Sequence, residues 1–135
     1  MQVVSSRDIE ARRAPEQYFT GTVWMDAMLD APSPNGAKSF RVSFEPGART
    51  HWHVHPEGQI LYVVTGRGLI QKSGERAREI LAGDSVHIAP DEKHWHGAAP
   101  DSLMVHVAIN STYNTEGATG WMEEVTDKEY AEASR

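Results

Sequence analysis

The 135-residue sequence predicts an all-β fold, a sandwich or barrel of two sheets, and two observations carry that prediction. Segments with strand-like residue alternation follow one another at short intervals from Tyr18 to Asn110. Clusters of Gly, Pro, Asn and Asp punctuate them, the spacing expected of such folds. Residues 1–17 are polar and are expected to form an arm, with residues 18–135 forming one domain. Strands are predicted over 19–26, 39–45, 51–55, 59–65, 68–72, 78–81, 85–89, 93–96 and 103–110. Residues 32–36, Glu45-Pro46-Gly47, His55-Pro56-Glu57-Gly58, Thr65-Gly66, Ser73-Gly74 and Ala82-Gly83-Asp84 each carry residues able to reverse the chain. After a polar stretch beyond Asn110, Thr126 and Glu129 form a capping-box signature. A short helix over 127–134 follows from it, packed on the outside of the barrel.

Composition narrows the function classes. Thirteen Lys and Arg against nineteen Asp and Glu give a net charge of -6, scattered along the chain, which argues against nucleic acid as a partner and leaves a small molecule. There is no cysteine, so disulfides, thiolate nucleophiles and thiolate metal ligands are excluded. The only apolar run near the amino terminus is Val3-Val4, and no later window approaches the ~18 apolar residues of a membrane span. A cytoplasmic protein is the expectation.

Five of the seven histidines fall in two windows, THWHVHPEGQ and KHWHG, alternating with apolar residues. On strands this puts His51, His53 and His55 on one face, opposite Trp52 and Val54, and puts His94 and His96 on one face opposite Trp95. Neutral imidazole is the commonest protein ligand for first-row metals, so two strands presenting imidazoles the same way form a candidate metal face. Paired surface histidines would give the same composition.

The spacing of the two windows resembles the two sequence motifs of the cupin superfamily. Gly47, five residues, His53-Val54-His55, three residues, Gln59, six residues and Gly66 reproduce the first motif, with Gln59 where Glu is more usual. Gly83, five residues, Ala89-Pro90-Asp91, two residues and His94 reproduce the second in part. Ala89, Asp91 and Ala98 depart from its usual Pro, Gly and Asn. The resemblance covers roughly residues 40–109. It implies a jelly-roll barrel, the cupin double-stranded β-helix, with one divalent transition metal held by His53, His55, Gln59 and His94. Glu57 is a competing ligand, but sits between Pro56 and Gly58 in a predicted turn. With four neutral ligands the ion would keep its full charge, which favours Lewis-acid chemistry over oxygen activation. Four ligands also leave octahedral positions open for substrate.

Further stretches, FTGTV, FEPGARTHWHVHPEGQ, HWHGAAP and GWMEEVTDKEY, are similar to one cupin subgroup, the bacterial manganese-dependent hydroxynitrile lyases. That similarity implies reversible cleavage of cyanohydrins to a carbonyl compound and cyanide, by way of an alkoxide at the metal and a histidine general base. It places Thr50, His96 and His106 around the substrate, and makes Mn2+ the first choice of metal, with Fe2+, Ni2+ or Zn2+ as alternatives. It also implies a homodimer or homotetramer, to which the arm could contribute. Phe40, Arg41 and His51 depart from the subgroup and suggest a narrower pocket with altered acid-base character. A metal-dependent dioxygenase and a non-catalytic binding cupin are the competing readings.

Several positions stay open on sequence alone. His96 shares a face with His94 and is available as an acid or base. In SLMVHVAIN, Met104, His106 and Ala108 alternate with Leu103, Val105, Val107 and Ile109, and parity does not say which set is interior. His51 is a rim group or an exposed one, and His87 is expected to point outward. Phe40, Val42, Phe44, Leu61, Val63 and Met104 line a cavity or form ordinary core.

Overall fold

Burial alternates along the strands, and that alternation curls them around one interior. The computed structural model describes residues 1–31, 36–111 and 119–135; residues 32–35 of the first predicted turn lie outside the described residues. Among the described residues a 3-10 turn at Ser6–Asp8 precedes twelve strands. They are β1 (Arg12–Arg13), β2 (Phe19–Thr20), β3 (Val23–Asp30), β4 (Ala37–Phe44), β5 (Arg49–Thr50) and β6 (His53–Val54). The second half holds β7 (Gln59–Lys72), β8 (Arg78–Leu81), β9 (Ser85–Ile88), β10 (His94–Ala98), β11 (Met104–Ser111) and β12 (Gly120–Trp121), followed by helix α1 (Asp127–Ala133). The path of hydrogen-bonded neighbours is β1-β3-β4-β11-β7-β10-β5-β2, with β8 and β9 on β7 and β12 on β6 beside β10. All pairings among these strands are antiparallel, and the result is a double-sheet jelly-roll barrel.

Strand β7 joins the two sheets, and here one sequence expectation fails. No reversal occurs at Thr65-Gly66; the two strands predicted over 59–65 and 68–72 are one 14-residue strand. Its first half pairs with β11 and β9, its second with β10 and β8. Val105 faces Thr65 and His106 faces Val63, so Val64 is the extra residue of a β-bulge. Gly66 follows at φ +82, and the Leu103 carbonyl oxygen lies where a β-carbon would stand, so a side chain would collide. Gly66 therefore bends the strand between sheets instead of turning it.

One other predicted strand is divided and one is shortened. Residues 19–26 split between β2 and β3 at Gly21, φ +80. Of residues 51–55, His53–Val54 alone form a strand, because the chain changes partners: β5 ends at Thr50 on β2, β6 pairs with β12, and the Trp52 amide donates to the Glu123 carbonyl between them. The remaining predicted strands end within two residues of those observed. Part of the expected arm folds back on its own chain, β1 pairing with β3 and Ala14 lying buried in the core.

The interior is filled by Val23, Val42, Phe44, Leu61, Val63 and Met104, each shielded almost completely. Burying a side chain of this size stabilises by roughly 1.5–3 kcal/mol. A second cluster lies outside the barrel, where Trp52, Leu69 and Trp95 meet Val125 and Tyr130. The predicted capping box starts the helix: Glu129 N donates to the Thr126 hydroxyl (3.2 Å), and Thr126 N donates to the Glu129 carboxylate (2.7 Å). Buried Arg49 ties the helix down by donating to the Val125 carbonyl and Asp127, as Tyr130 does by donating to the Ala98 carbonyl (2.6 Å). Trp52 and Trp95 thus take the face opposite the histidines, as alternation requires, and α1 covers them.

Candidate metal centre and cavity

Three strand segments bring the imidazoles together. In the register of β6 and β10, His53 lies directly opposite His94, and Trp121 of β12 flanks His53 on its other side. Ring centroids are 4.2 Å apart for His53 and His94, 4.9 Å for His53 and His55, and 4.7 Å for His53 and Trp121. One ligating atom from each of His53, His94 and His96 lies within 4.8 Å of the others, a group that could hold a single metal ion. His55 and Gln59 line the same cavity as His53. That tight group includes His96, which the sequence marked as an acid or base, while His55 and Gln59 stand beside it.

Hydrogen bonds decide which atoms face inward. His53 Nδ1 donates to the His51 carbonyl (2.9 Å) and His94 Nδ1 to the Glu92 carbonyl (2.7 Å), so Nε2 carries the free lone pair in both rings. His55 Nδ1 lies 3.4 Å from the Thr119 hydroxyl. Gln59 Nε2 donates to Asn110 Oδ1 (2.8 Å), which leaves the amide oxygen for the cavity. His55 Nε2, Gln59 Oε1 and His94 Nε2 are buried with no hydrogen-bond partner among the described residues. Leaving a buried polar atom unpaired costs about 1–3 kcal/mol, so three nitrogen and oxygen lone pairs gathered in one place require an explanation. A metal ion would answer it, since neutral nitrogen and oxygen donors of this kind suit one.

Electrostatics keep the rings ready for that role. Burial, then neighbouring His94, pushes His55 down to about 4. His53 is held well below the usual imidazole range by the same two causes, and burial lowers His94 against the opposing pull of the Glu92 carbonyl and carboxylate. Neutral imidazoles are the ligating form.

Beyond this group, His106 Nε2 and His96 Nδ1 lie 3.2 Å apart. The β11 parity is now settled: Met104, His106 and Ala108 point inward. Burial depresses both rings, His106 to about 4 and His96 well below the usual imidazole range, with His106 as the second cause for His96. Phe44 packs on both, its ring centroid 5.4 Å from His106 and 5.9 Å from His96. The outer ring nitrogens, His96 Nε2 and His106 Nδ1, are buried and unpaired among the described residues. Thr50, also buried, accepts from the His96 amide (3.2 Å), which leaves its hydroxyl hydrogen free to donate.

These groups open onto a cavity of about 500 Å³. Phe40, Val42 and Phe44 line it, whereas Leu61, Val63 and Met104 belong to the core. His51 is outside the lining and acts through its carbonyl on His53, while His87 and Glu57 are exposed, Glu57 in the turn closed by Gly58 N donating to the His55 carbonyl. Sequence reasoning missed Asn110 and Thr119, which orient Gln59 and His55. It also missed the wall formed by Tyr18 and Trp121, whose rings stack at 4.6 Å and 9°. These contacts join residues far apart in the chain, so no local spacing announced them.

Comparison with known proteins agrees with this architecture. Residues 40–109 match the family described as a cupin domain. The chain is 48% identical over 118 residues, 87% of its length and 89% of the relative's, to a protein of Granulicella tundricola named (R)-mandelonitrile lyase. A solved cupin-like protein of Thermotoga maritima superposes with a TM-score of 0.85 at 44% identity, covering 91% of this chain and 92% of that one. The polyketide cyclase RemF of Streptomyces resistomycificus shares the fold at a TM-score of 0.73 and 16% identity, with 96% and 90% covered.

Proposed function

Because this chain belongs to the cupin domain family, we propose that it is a metal-dependent lyase that cleaves and forms cyanohydrins, exchanging them with a carbonyl compound and cyanide. The observation that carries the reading is a hydrogen-bonded pair of buried imidazoles, His96 and His106, lining one cavity with the anchored groups His53 and Gln59. The similarity to a protein named (R)-mandelonitrile lyase supports the substrate class.

His53, His55, Gln59 and His94 are the proposed ligands of one divalent transition metal, Mn2+ before Fe2+, Ni2+ or Zn2+. Carbonyl anchors on His53 and His94 and the Asn110 anchor on Gln59 are the fixed orientations that ligands need. His96 is assigned to proton transfer because His106, itself outside the ligating group, pairs with it and because the cupin motif spacing places the ligands at His53, His55, Gln59 and His94. When bound, the cation supplies Lewis acidity toward the substrate oxygen.

The remaining steps belong to the chain. A free nitrogen of the pair, His96 Nε2 or His106 Nδ1, takes the hydroxyl proton. The electrons of the carbon–cyanide bond leave with cyanide, which then receives that proton, so the imidazoles finish neutral. Burial, by keeping both rings neutral, maintains the accepting form and favours prompt return of the proton. Thr50 donates its free hydroxyl hydrogen to the substrate oxygen or nitrile. Val42 and Phe44 keep the reacting end dry.

The test is cyanide release from mandelonitrile under nitrogen by metal-loaded protein, lost in His106→Ala while metal content is retained. Substrate-dependent oxygen uptake would instead favour a dioxygenase. Neither activity at full metal loading would favour a binding protein.

A further inference from the structure

Among the described residues lining the cavity, Lys38 is the one with a permanent charge, and no carboxylate lines it. Its position is unusual for lysine. Along β4, Lys38, Phe40, Val42 and Phe44 alternate onto the cavity side, a row otherwise made of large apolar groups. Lys38 is itself exposed, so it stands at the open end of that row, where its ammonium reaches solvent. Lys38 forms no ion pair among the described residues, not even with Asp30, its partner across the β3–β4 pair.

The strand register places Lys38 relative to the site. Lys38 faces Asn110 on β11, and Asn110 accepts the amide hydrogen of Gln59 at the start of β7. The three residues form one rung across three strands, about 10 Å between the outer Cα atoms at ordinary interstrand spacing. The next rungs inward pair Phe40 with Ala108 and Val42 with His106. A molecule whose reacting carbon lies near His106 therefore has room for its body beside Phe40 and for its remote end near Lys38.

We propose that Lys38 is a specificity-determining residue, and that the preferred substrate carries a carboxylate at the end of its apolar body remote from the reacting carbon. The reacting group is taken from the lyase reading, whereas charge recognition is tested independently of it. A carboxylate at the mouth would accept a charge-assisted hydrogen bond from the ammonium, with no acid among the described lining residues to compete. A cationic substituent would meet repulsion there instead.

The experiment compares 4-carboxybenzaldehyde with benzaldehyde, by NMR titration of metal-free protein and by KM of cyanohydrin formation with metal-loaded protein. Wild type should bind the carboxylate compound about five- to tenfold more tightly, the range of a partly exposed charged hydrogen bond. In Lys38→Ala the ratio of the two affinities should fall to about one, Lys38→Arg should restore most of it, and 0.5 M salt should weaken it in wild type. An unchanged ratio in Lys38→Ala, or no preference in wild type, overturns the proposal. Absence of turnover with a Lys38-dependent binding ratio intact would count against the lyase reading alone.

Discussion

Replacing His106 with Asn should flatten the acid side of the stability curve of the metal-free protein. Burial lowers the folded-state pKa of His106 to about 4 against an ordinary 6.5. Between those values the unfolded chain binds more protons than the folded one, so stability falls as pH drops through 6.5 and levels off below 4. The full difference is about 3 kcal/mol, and about 2 kcal/mol of it is gone by pH 5. In His106→Asn that share disappears. His96, which His106 helps to hold down, gains an easier protonation, which flattens the curve further. The assay is urea unfolding at pH 7.5 and 5.0 for both proteins, comparing the change with pH and not the absolute stabilities, so that packing losses cancel. Equal losses in the two proteins would show that His106 titrates as a solvated imidazole and would remove the argument from burial.

The double variant His53→Ala/His94→Ala should bind less than about 0.1 equivalent of divalent metal by elemental analysis, since two of four proposed ligands are lost; full metal content would refute the site. Asn110→Leu frees the Gln59 amide and should weaken metal binding about tenfold in a chelator competition, the usual scale for an outer partner of a ligand. No change would mean that Gln59 does not ligate. Gly66→Ala forces a side chain into positive φ against the Leu103 carbonyl and should cost at least ~2 kcal/mol in urea unfolding.

Much of this protein was legible in one dimension because its signals are local. Alternation of His53, Val54 and His55, and of His94, Trp95 and His96, depends only on the two-residue period of a strand, and the structure keeps it. The capping box at Thr126 and Glu129 spans a single helical turn and forms as read. Other features depend on which strand lies beside which, and tertiary structure alone decided them. Gly66 looks like a turn residue until β10 and β11 are seen to pair with the two halves of the same strand. The inward parity of His106 follows from its register against Val42 and Val63, which no residue in SLMVHVAIN encodes. The contact of His106 with His96, the hold of Asn110 on Gln59 and the entry of Lys38 into an apolar row arise the same way. Residue spacing carries chemistry along the chain, and only hydrogen-bonded register carries it across.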